Sequence, residues 1–402
     1  MKITSSDYKY QHLGTVYRLV EQFELISRTD LAKLSGFAPA SMTVLTKILI
    51  DHKLILERTS QNLPSRGRPA VGLSVSPFHW RYLCLTLAPQ KLSIALCDLS
   101  GKLIYQQHYS LTSDEYLSLD QHILNCIQTF SLNTPLLTNE ALLAISISVV
   151  GKIDRTKTII TQLGQQPLTC PLVETLHRHF NQPILLNEHF QLWLLAEATL
   201  GSLIANDNVI FLQLDDQVNL SVLLKGALLH QDEHKRMNVD KMIMPKFSPL
   251  SDEIAEQQTE IERYQLTNQV TFPALANLID RYFDHQHTCL EDKINYFCEQ
   301  VEAENPQAMQ ILSHLTDNLA YMLMNLINIF STEKIMFNSP LLRIKKPLFE
   351  QLQTKLQQNL LLNELRIDIV TSQYDWDSPL IPSIAIKLGI YEGCLLKGIV
   401  EV

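Results

Sequence analysis

The sequence predicts an α/β protein with a small winged helix-turn-helix module ahead of a larger α/β body. The N-terminal part shows three helical patterns and two strand patterns, whereas the rest alternates short apolar strands with helical stretches. Charge is divided in the same way. Residues 1–80 hold ten Lys/Arg against six Asp/Glu, a net of +4, and the remainder has 23 basic and 36 acidic residues. A basic head on an acidic body is typical of a nucleic-acid-binding module joined to a sensor or oligomerisation domain.

Composition narrows the class of protein. The chain has 402 residues and 46% apolar residues, enough for two or three domains. No window of about 18 uncharged apolar residues is present, and the N-terminus lacks the apolar core of a signal peptide. We therefore expect a cytoplasmic protein without membrane insertion. Seven scattered cysteines favour reduced thiols over a disulfide framework or a cysteine-rich metal site.

The first two helices of the predicted module have recognisable ends. Apolar spacing predicts a helix over Tyr10–Phe23. Ser27 is then the expected N-cap of a second helix, with Asp30 at its third position, and Gly36 is the expected left-handed C-cap. The residues expected to face inward are Leu13, Val16, Tyr17, Val20 and Phe23 on the first helix, and Leu31 and Leu34 on the second.

The third helix is the predicted recognition helix, opened by Pro39. Its expected buried stripe comprises Met42, Leu45, Ile48 and Leu49, which leaves Ser41, Thr43, Val44 and Lys47 facing outward. Short polar side chains and a lysine suit major-groove contacts, and Val44 suits a thymine methyl group. Arg28, at a helix start, is expected to contact a phosphate.

A wing follows the helices. Leu54–Arg58 and Val71–Val75 are predicted to pair as a hairpin, and between them lies the run Arg66, Gly67, Arg68 and Pro69. Glycine and proline favour an extended arm, and its two arginines suit a narrow, A·T-rich minor groove. The alternative for the module is a small helical protein-binding domain of the same shape.

Several runs closely resemble the ROK family (repressors, open reading frames, kinases), in particular its branch of Mlc- and NagC-type repressors of sugar-uptake and amino-sugar genes. In the module these runs are Ile26–Leu31, Ala38–Ser41 and Arg66–Leu73; in the body they are Tyr82–Leu103, Trp193–Gly201, Gly226–His230, Ile327–Phe330 and Ser339–Leu341. The resemblance implies a two-lobed sugar-kinase-like body of the actin/hexokinase type, with a cleft between the lobes. The implied domains are residues 1–78 and 79–402, the latter divided into lobes at about 79–190 plus the C-terminal helix and 191–385.

The body pattern agrees with that fold. Helices are predicted at Leu117–Phe130, Phe190–Leu200 and 306–331. Strands are predicted at Trp80–Leu87, Leu92–Asp98, Leu142–Val150, Ile184–Leu186, Val209–Leu214 and Leu220–Leu224. Alternating elements of this kind indicate an α/β architecture.

The glycine-rich loops by which ROK kinases hold nucleotide are not matched in this chain. Thr86–Gln90 stands where the family's phosphate loop would lie, Val218–Ser221 at the second loop, and Phe337–Ser339 on the adenosine side. The chain has only 12 glycines, and Pro89 lacks the N–H that would hold phosphate. We therefore expect no nucleotide cofactor and no enzymatic activity.

Two further family sites are altered. The family's catalytic aspartate aligns with His189, in the run Asn187, Glu188, His189. This run is a candidate ligand cleft, although a buried, hydrogen-bonded histidine is the simpler interpretation. The family's zinc cluster corresponds to residues 238–269, which contain no cysteine and no glycine, so no metal is expected there. The segment must be ordered by other contacts or stay mobile.

These features predict a sequence-specific DNA-binding transcriptional regulator, a repressor of carbohydrate uptake or metabolism genes. A homodimer or homotetramer on a palindromic operator with A·T-rich flanks is expected. The effector is a sugar or sugar phosphate, or the regulator has no sugar ligand and responds to a protein of the phosphotransferase system. A sugar kinase and an interaction scaffold without DNA binding are the competing classes.

Overall fold

The computed structural model describes residues 5–59, 71–138, 140–229, 237–359 and 367–401. The chain divides into two compact units, Met1–Ala196 with Tyr374–Val402, and Glu197–Gln373. The domain boundaries predicted at residues 78, 190 and 385 stay predictions. Among the described residues, no helix combines the length and apolar character needed to cross a bilayer.

The elements follow in chain order. The N-terminal module contains α1 (Ser5–Phe23), α2 (Arg28–Ser35), α3 (Pro39–Asp51), β1 (Ile55–Thr59) and β2 (Val71–Val75). The first unit continues with β3 (Arg81–Ala88), β4 (Lys91–Asp98), β5 (Leu103–Ser110), α4 (Leu119–Leu132), β6 (Leu142–Val149), β7 (Gly151–Ile153), β8 (Ile160–Leu163), β9 (Gln166–Cys170), α5 (Leu172–His177), β10 (Ile184–Glu188) and α6 (His189–Leu200), of which the last four residues lie in the second unit.

The second unit then contains β11 (Val209–Leu214), β12 (Val218–Leu224), β13 (Ala227–Leu228), α7 (Leu250–Glu253), α8 (Glu260–Arg263), α9 (Thr267–Val270), α10 (Phe272–Tyr282), α11 (Leu290–Glu302), α12 (Pro306–Phe330), β14 (Lys334–Asn338), α13 (Lys345–Asn359) and β15 (Asp368–Val370). The chain returns to the first unit for α14 (Leu380–Tyr391) and α15 (Cys394–Val400). Short 3₁₀ helices occupy Ser113–Ser118 and Pro340–Ile344.

The two units repeat one sheet topology. In the first unit the strand order is β10-β6-β3-β4-β5, with β3, β6 and β10 parallel and β4 and β5 antiparallel. In the second unit β11, β14 and β15 are parallel, and β12 and β13 are antiparallel, in the order β13-β12-β11-β14-β15. Each sheet therefore has a central strand, two successive antiparallel hairpin strands on one side and two parallel crossover strands on the other, and the predicted α/β fold class is confirmed.

Alternation along β3 explains how the first sheet buries both faces. Tyr82 and Cys84 belong to a core shared with α1 and α14, whereas Leu83, Leu85 and Leu87 belong to a core shared with α4. Successive strand residues point to opposite faces, so a strand covered on both sides is predominantly apolar. The N-terminal module consequently shares one continuous apolar core with the body of its unit.

Most predicted elements are present. The strand at Val71–Val75 and the strand at Val209–Leu214 match the sequence-based bounds, and α6 and α12 match within one residue. Helix α4 begins at Leu119 because a 3₁₀ turn precedes it. The edge strand β5 was not predicted. It has no buried residue and a mixed polar sequence, so it shows neither a continuous apolar run nor clean alternation.

Two inward assignments were wrong. Phe23 is 51% exposed because it is the last residue of α1, where the chain leaves the helix packing. Leu34 is 54% exposed. The packed side of α2 passes through Leu31 and Ser35, which are one turn apart, and Leu34 falls beside it.

Candidate nucleic-acid interface

Local caps define α2, the first helix of the helix-turn-helix. The Ser27 hydroxyl oxygen accepts a hydrogen bond from the Asp30 backbone N–H at 3.1 Å. At the other end Gly36 has a φ of +71°, the left-handed conformation that glycine adopts at no steric cost. Both predicted caps are confirmed, and they set the length of α2 before the turn to α3.

The buried side of α3 differs slightly from the prediction. Pro39 occupies the first turn, as expected, and Met42, Leu45 and Leu49 are buried. Ile48 is only half-buried, and Thr46 is fully buried in the same face. The Thr46 hydroxyl donates to the backbone oxygen of Met42 at 2.8 Å, which satisfies this polar group inside the core.

The outward side of α3 is as predicted. Ser41, Thr43, Val44 and Lys47 are all exposed, and Val44 has 58% of its surface exposed. The Thr43 hydroxyl donates to the Pro39 backbone oxygen at 3.0 Å. This face presents hydroxyl groups, one branched apolar side chain and one cation on a helix whose opposite side is packed.

Arg28 takes part in a network inside the module. Its Nε donates to the Thr46 hydroxyl oxygen at 3.0 Å, and its guanidinium forms an ion pair with Glu57 at 2.6 Å. One side chain thus connects α2, α3 and β1. The side chain is one-third exposed, and its predicted phosphate contact stays a prediction.

A groove beside α3 adds two residues that the sequence did not single out. Arg28, Lys47 and Lys53 line it together with the exposed aromatic ring of Phe78. Lys53 has a φ of +60° in the turn after α3. A lone lysine in a turn and a lone aromatic in a connection have no periodic pattern, so only the fold reveals that they lie beside Lys47.

The wing is built on three segments. Residues of β1 pair antiparallel with β2, from Ile55 opposite Val75 to Thr59 opposite Val71. Ile26 forms an additional antiparallel bridge with Leu73. A Cβ at Gly72 would lie 2.5 Å from the Leu25 Cδ1 atom, so a larger residue there would displace the exposed Leu25 side chain.

The predicted minor-groove arm, Arg66, Gly67, Arg68 and Pro69, lies outside the described residues. The strands on either side of it, β1 and β2, are described, and their antiparallel pairing confirms the predicted hairpin.

The candidate ligand residues of the body are placed as follows. His189 is buried, its Nδ1 lies 3.2 Å from the Ser148 hydroxyl, and that hydroxyl lies 3.2 Å from the Thr86 hydroxyl. Burial lowers the pKa of His189 to about 4, so the ring is neutral at pH 7. Asn187 accepts a hydrogen bond from Lys157 at 3.4 Å, and Glu188 is half-buried at the end of β10. The ligand role of this run stays a prediction.

The β3–β4 turn, where the resemblance to the family predicts the phosphate loop, is packed by neighbouring residues. Pro89 and Gln90 form the turn between β3 and β4. The Tyr116 hydroxyl donates to the Pro89 backbone oxygen, and a Cβ at Gly164 would lie 2.4 Å from the Pro89 ring. The turn therefore contacts protein on two sides.

Hydrogen bonds connect parts of residues 238–269, the segment that the resemblance aligns with the family's zinc cluster. The Met244 N–H donates to the Tyr264 oxygen at 2.7 Å, and the Tyr264 hydroxyl donates to Asp252 at 2.5 Å. Asp252 also pairs with Lys246. Within the described ranges of the chain, no cluster of three or more metal-ligating side chains is present.

The chain is similar over nearly its whole length to known transcriptional regulators. Residues 82–231 match the model of the ROK family. The chain is 26% identical over 399 residues to the DNA-binding transcriptional repressor Mlc of Escherichia coli K12, covering 96% of this chain and 95% of that one. It is 23% identical over 395 residues to the dual regulator NagC of the same strain, covering 98% and 96%.

Solved structures support the same fold. A ROK family transcriptional regulator described as a homologue of E. coli Mlc superimposes with a TM-score of 0.80 at 24% identity, covering 98% of this chain and all of that one. A ROK hexokinase from Thermus thermophilus superimposes with a TM-score of 0.58 at 14% identity, covering 76% of this chain. The predicted winged helix-turn-helix followed by a two-lobed sugar-kinase-like body is confirmed.

Proposed function

We propose that this chain, which carries a ROK family domain, is a sequence-specific DNA-binding transcriptional regulator that acts as a repressor. The observation that supports this most directly is the outward face of α3. Ser41, Thr43, Val44 and Lys47 project from a helix that Pro39 opens and whose opposite face is packed in the core. The similarity to Mlc and NagC extends over nearly the whole chain and points to the same class.

The mechanism follows from the module. Helix α3 enters the major groove, where Lys47 contacts a guanine edge or a phosphate and Val44 meets a thymine methyl group. Lys53, beside Lys47 in the groove, adds a second cation for the backbone phosphates. Arg66 and Arg68 of the wing arm insert into the flanking minor groove where A·T base pairs narrow it.

Two modules are needed for operator selectivity. A homodimer places two copies of α3 on the half-sites of a palindrome, one helical turn or a multiple of it apart. The regulated genes are those of carbohydrate uptake or metabolism. The signal is a sugar or sugar phosphate bound by the body near His189, or a phosphotransferase-system protein that contacts the regulator directly.

A sugar kinase is the weaker candidate. Phosphoryl transfer requires backbone N–H groups that hold the transferred phosphates. At the β3–β4 turn, Pro89 has no N–H and is packed against Tyr116 and Gly164. The ROK kinases also superimpose less well than the regulator does.

Binding to a selected operator tests the proposal. Duplexes are selected from a random library by the full chain, and affinities of Lys47→Ala and Val44→Ala are then measured at fixed salt. Each substitution is expected to cost about 1–3 kcal/mol of binding free energy if its side chain reads a base. Lys152→Ala, which removes an exposed lysine from β7, is the matched control. Selection of no duplex by the wild-type chain would refute the proposal.

The wing is tested separately. Arg66→Ala and Arg68→Ala are each expected to weaken operator binding by about 1–3 kcal/mol, with the larger effect on operators that have A·T-rich flanks. Unchanged affinity of the double variant at matched salt would remove the arm from the interface.

The effector is tested by thermal stability. Sugars and sugar phosphates are added at high concentration, and a ligand at 100 times its Kd is expected to stabilise the chain by about 2.7 kcal/mol. A clear shift with one compound identifies the class of effector. Stabilisation only by a phosphotransferase-system protein favours the protein signal.

A further inference from the structure

A buried ion pair joins the DNA-reading module to the C-terminal helices. Glu21 lies on α1, and its carboxylate contacts the Lys387 ammonium on α14, 366 residues later in the chain. Lys387 is 4% exposed, and the Glu21 side chain is nearly as well buried. The Tyr391 hydroxyl donates to the second carboxylate oxygen of Glu21 at 2.6 Å. Both oxygens of this carboxylate therefore have partners on α14.

Close backbone approach supports the same contact. A Cβ at Gly14 on α1 would lie 2.2 Å from the Tyr391 backbone oxygen, and a Cβ at Gly393 would lie 2.4 Å from the Tyr10 backbone carbon. Only glycine allows two backbones to lie this close. Tyr10 also donates from its hydroxyl to Glu401 at 2.8 Å. Helix α1 thus contacts α14 and α15 by backbone packing, by charge and by hydrogen bonds.

Helix α14 is itself attached to the sheet of the first unit. The Ser146 hydroxyl of β6 donates to the Pro382 backbone oxygen at 2.6 Å. Just before α14, Asp377 pairs with Lys91 of β4 at 3.0 Å. A helix held to α14 is therefore held to the sheet. The far end of the module has one further tether, because the Trp80 indole N–H donates to the His52 backbone oxygen at 2.8 Å.

We infer that the Glu21–Lys387 pair, completed by Tyr391, positions the DNA-reading module on the body and thereby sets the half-site spacing that the dimer accepts. The inference rests on the proposed function. Buried ion pairs contribute little net stability, but they favour one arrangement, because any other arrangement leaves a buried charge unpaired. The glycine contacts bring α1 and α14 together, and the pair adds a specific orientation, because a rotation of α1 would separate the Glu21 carboxylate from Lys387 and Tyr391.

The consequence concerns spacing rather than base reading. Neither Glu21 nor Lys387 belongs to the outward face of α3, so their loss leaves the base contacts of each half-site unchanged. Two half-sites are bound together only if both modules sit at the correct separation. A module that is free to move binds the native spacing less tightly and discriminates less against altered spacings.

The experiment compares Lys387→Met, Glu21→Gln and the double variant E21Q/K387M with the wild-type chain. Operators are the selected duplex and the same duplex with two base pairs added between half-sites, which rotates them by roughly 70°. The single variants are expected to bind the native operator about 10-fold more weakly and to lose most of the preference for native spacing. The exposed pair Glu174–Arg178 supplies the control, E174Q/R178M, which should behave as the wild type.

A second readout does not involve DNA. Amide hydrogen exchange along α1 is expected to accelerate in K387M and in E21Q/K387M, while exchange in β3 and β6 stays at the wild-type rate. The double variant buries no unpaired charge, so it keeps the test valid if K387M fails to fold. Folded variants with wild-type α1 exchange and wild-type spacing preference would overturn the inference. Failure of the wild-type chain to bind any duplex would instead refute the proposed function, and α1 exchange would still decide whether the pair holds the module.

Discussion

Replacing Gly14 with alanine tests whether α1 is held by direct backbone contact with α14. Gly14 lies within α1, and an added Cβ would meet three backbone atoms of Ile390 and Tyr391 at 2.2–2.7 Å. Carbon and oxygen atoms pack at about 3.3 Å or more. The two helices must therefore separate by roughly 1 Å, because backbone atoms cannot rotate away as a flexible side chain would.

The magnitude combines two opposing effects. Alanine is favoured over glycine inside a helix by about 1 kcal/mol, which would stabilise Gly14→Ala if the contact were absent. Overpacking of a well-packed core costs about 1–3 kcal/mol. A cost near the upper end of this range is expected at Gly14, because the added Cβ would meet backbone atoms. We expect a net loss of about 2 kcal/mol in the free energy of unfolding of the first unit.

The assay is urea unfolding followed by circular dichroism, with Gly398→Ala as the control. Gly398 is also helical, in α15, but an added Cβ there meets no atom within 4 Å. The control is therefore expected to be stabilised by up to about 1 kcal/mol. If Gly14→Ala unfolds at the same or a higher urea concentration than the wild type, α1 does not lie against α14 in solution and the argument fails.

The remaining predictions use the same unfolding measurement. Ser27→Ala removes the cap on the Asp30 N–H and should cost about 1 kcal/mol; no loss would mean that α2 needs no cap. Because the folded-state pKa of His189 is lowered to about 4 from 6.5, the unfolded chain takes up the proton first as pH falls. The free energy of unfolding should then decrease by up to about 3 kcal/mol as the pH falls from 6.5 to 4. If the free energy of unfolding of His189→Gln depends on pH as that of the wild type does, His189 is not the group responsible. Glu197→Gln should cost about 1–3 kcal/mol, since its carboxylate accepts from Ser202 and from residues 372 and 373, and an amide N–H₂ would face one of these donors. Wild-type stability of that variant would show that these donors do not depend on the carboxylate.

A series of contacts within the first unit runs from β4 to Glu21 of the DNA-reading module. The segment before α14 contacts β4 through Asp377 and Lys91, and the end of α14 contacts α1 through Tyr391. Asp377 and the α14 helix that follows it thus connect the start of β4, next to the β3–β4 turn, with the DNA-reading module. If a substitution at Asp377 changes the half-site spacing that the protein prefers, the start of β4 and the DNA-reading module are coupled.

Sequence alone determined the parts of this protein that depend on near neighbours. The caps at Ser27 and Gly36, the start of α3 at Pro39 and its outward face follow from residues within four positions of one another, and each is present in the structure. The apolar runs of the sheets could also be recognised, because a strand buried on both faces is mostly apolar and its few buried polar residues are small hydroxyls.

Only the tertiary structure decided the contacts between distant residues. Arg28 was expected to face a phosphate, and the fold places it against Thr46 and Glu57, 18 and 29 residues away. Lys387 is one lysine in an apolar helix until α1 brings Glu21 to it. No local pattern encodes such pairs, since their partners are chosen by how helices and sheets pack. The sequence therefore determined what the recognition helix presents, and the packing of α1 on α14 determined where that helix is held.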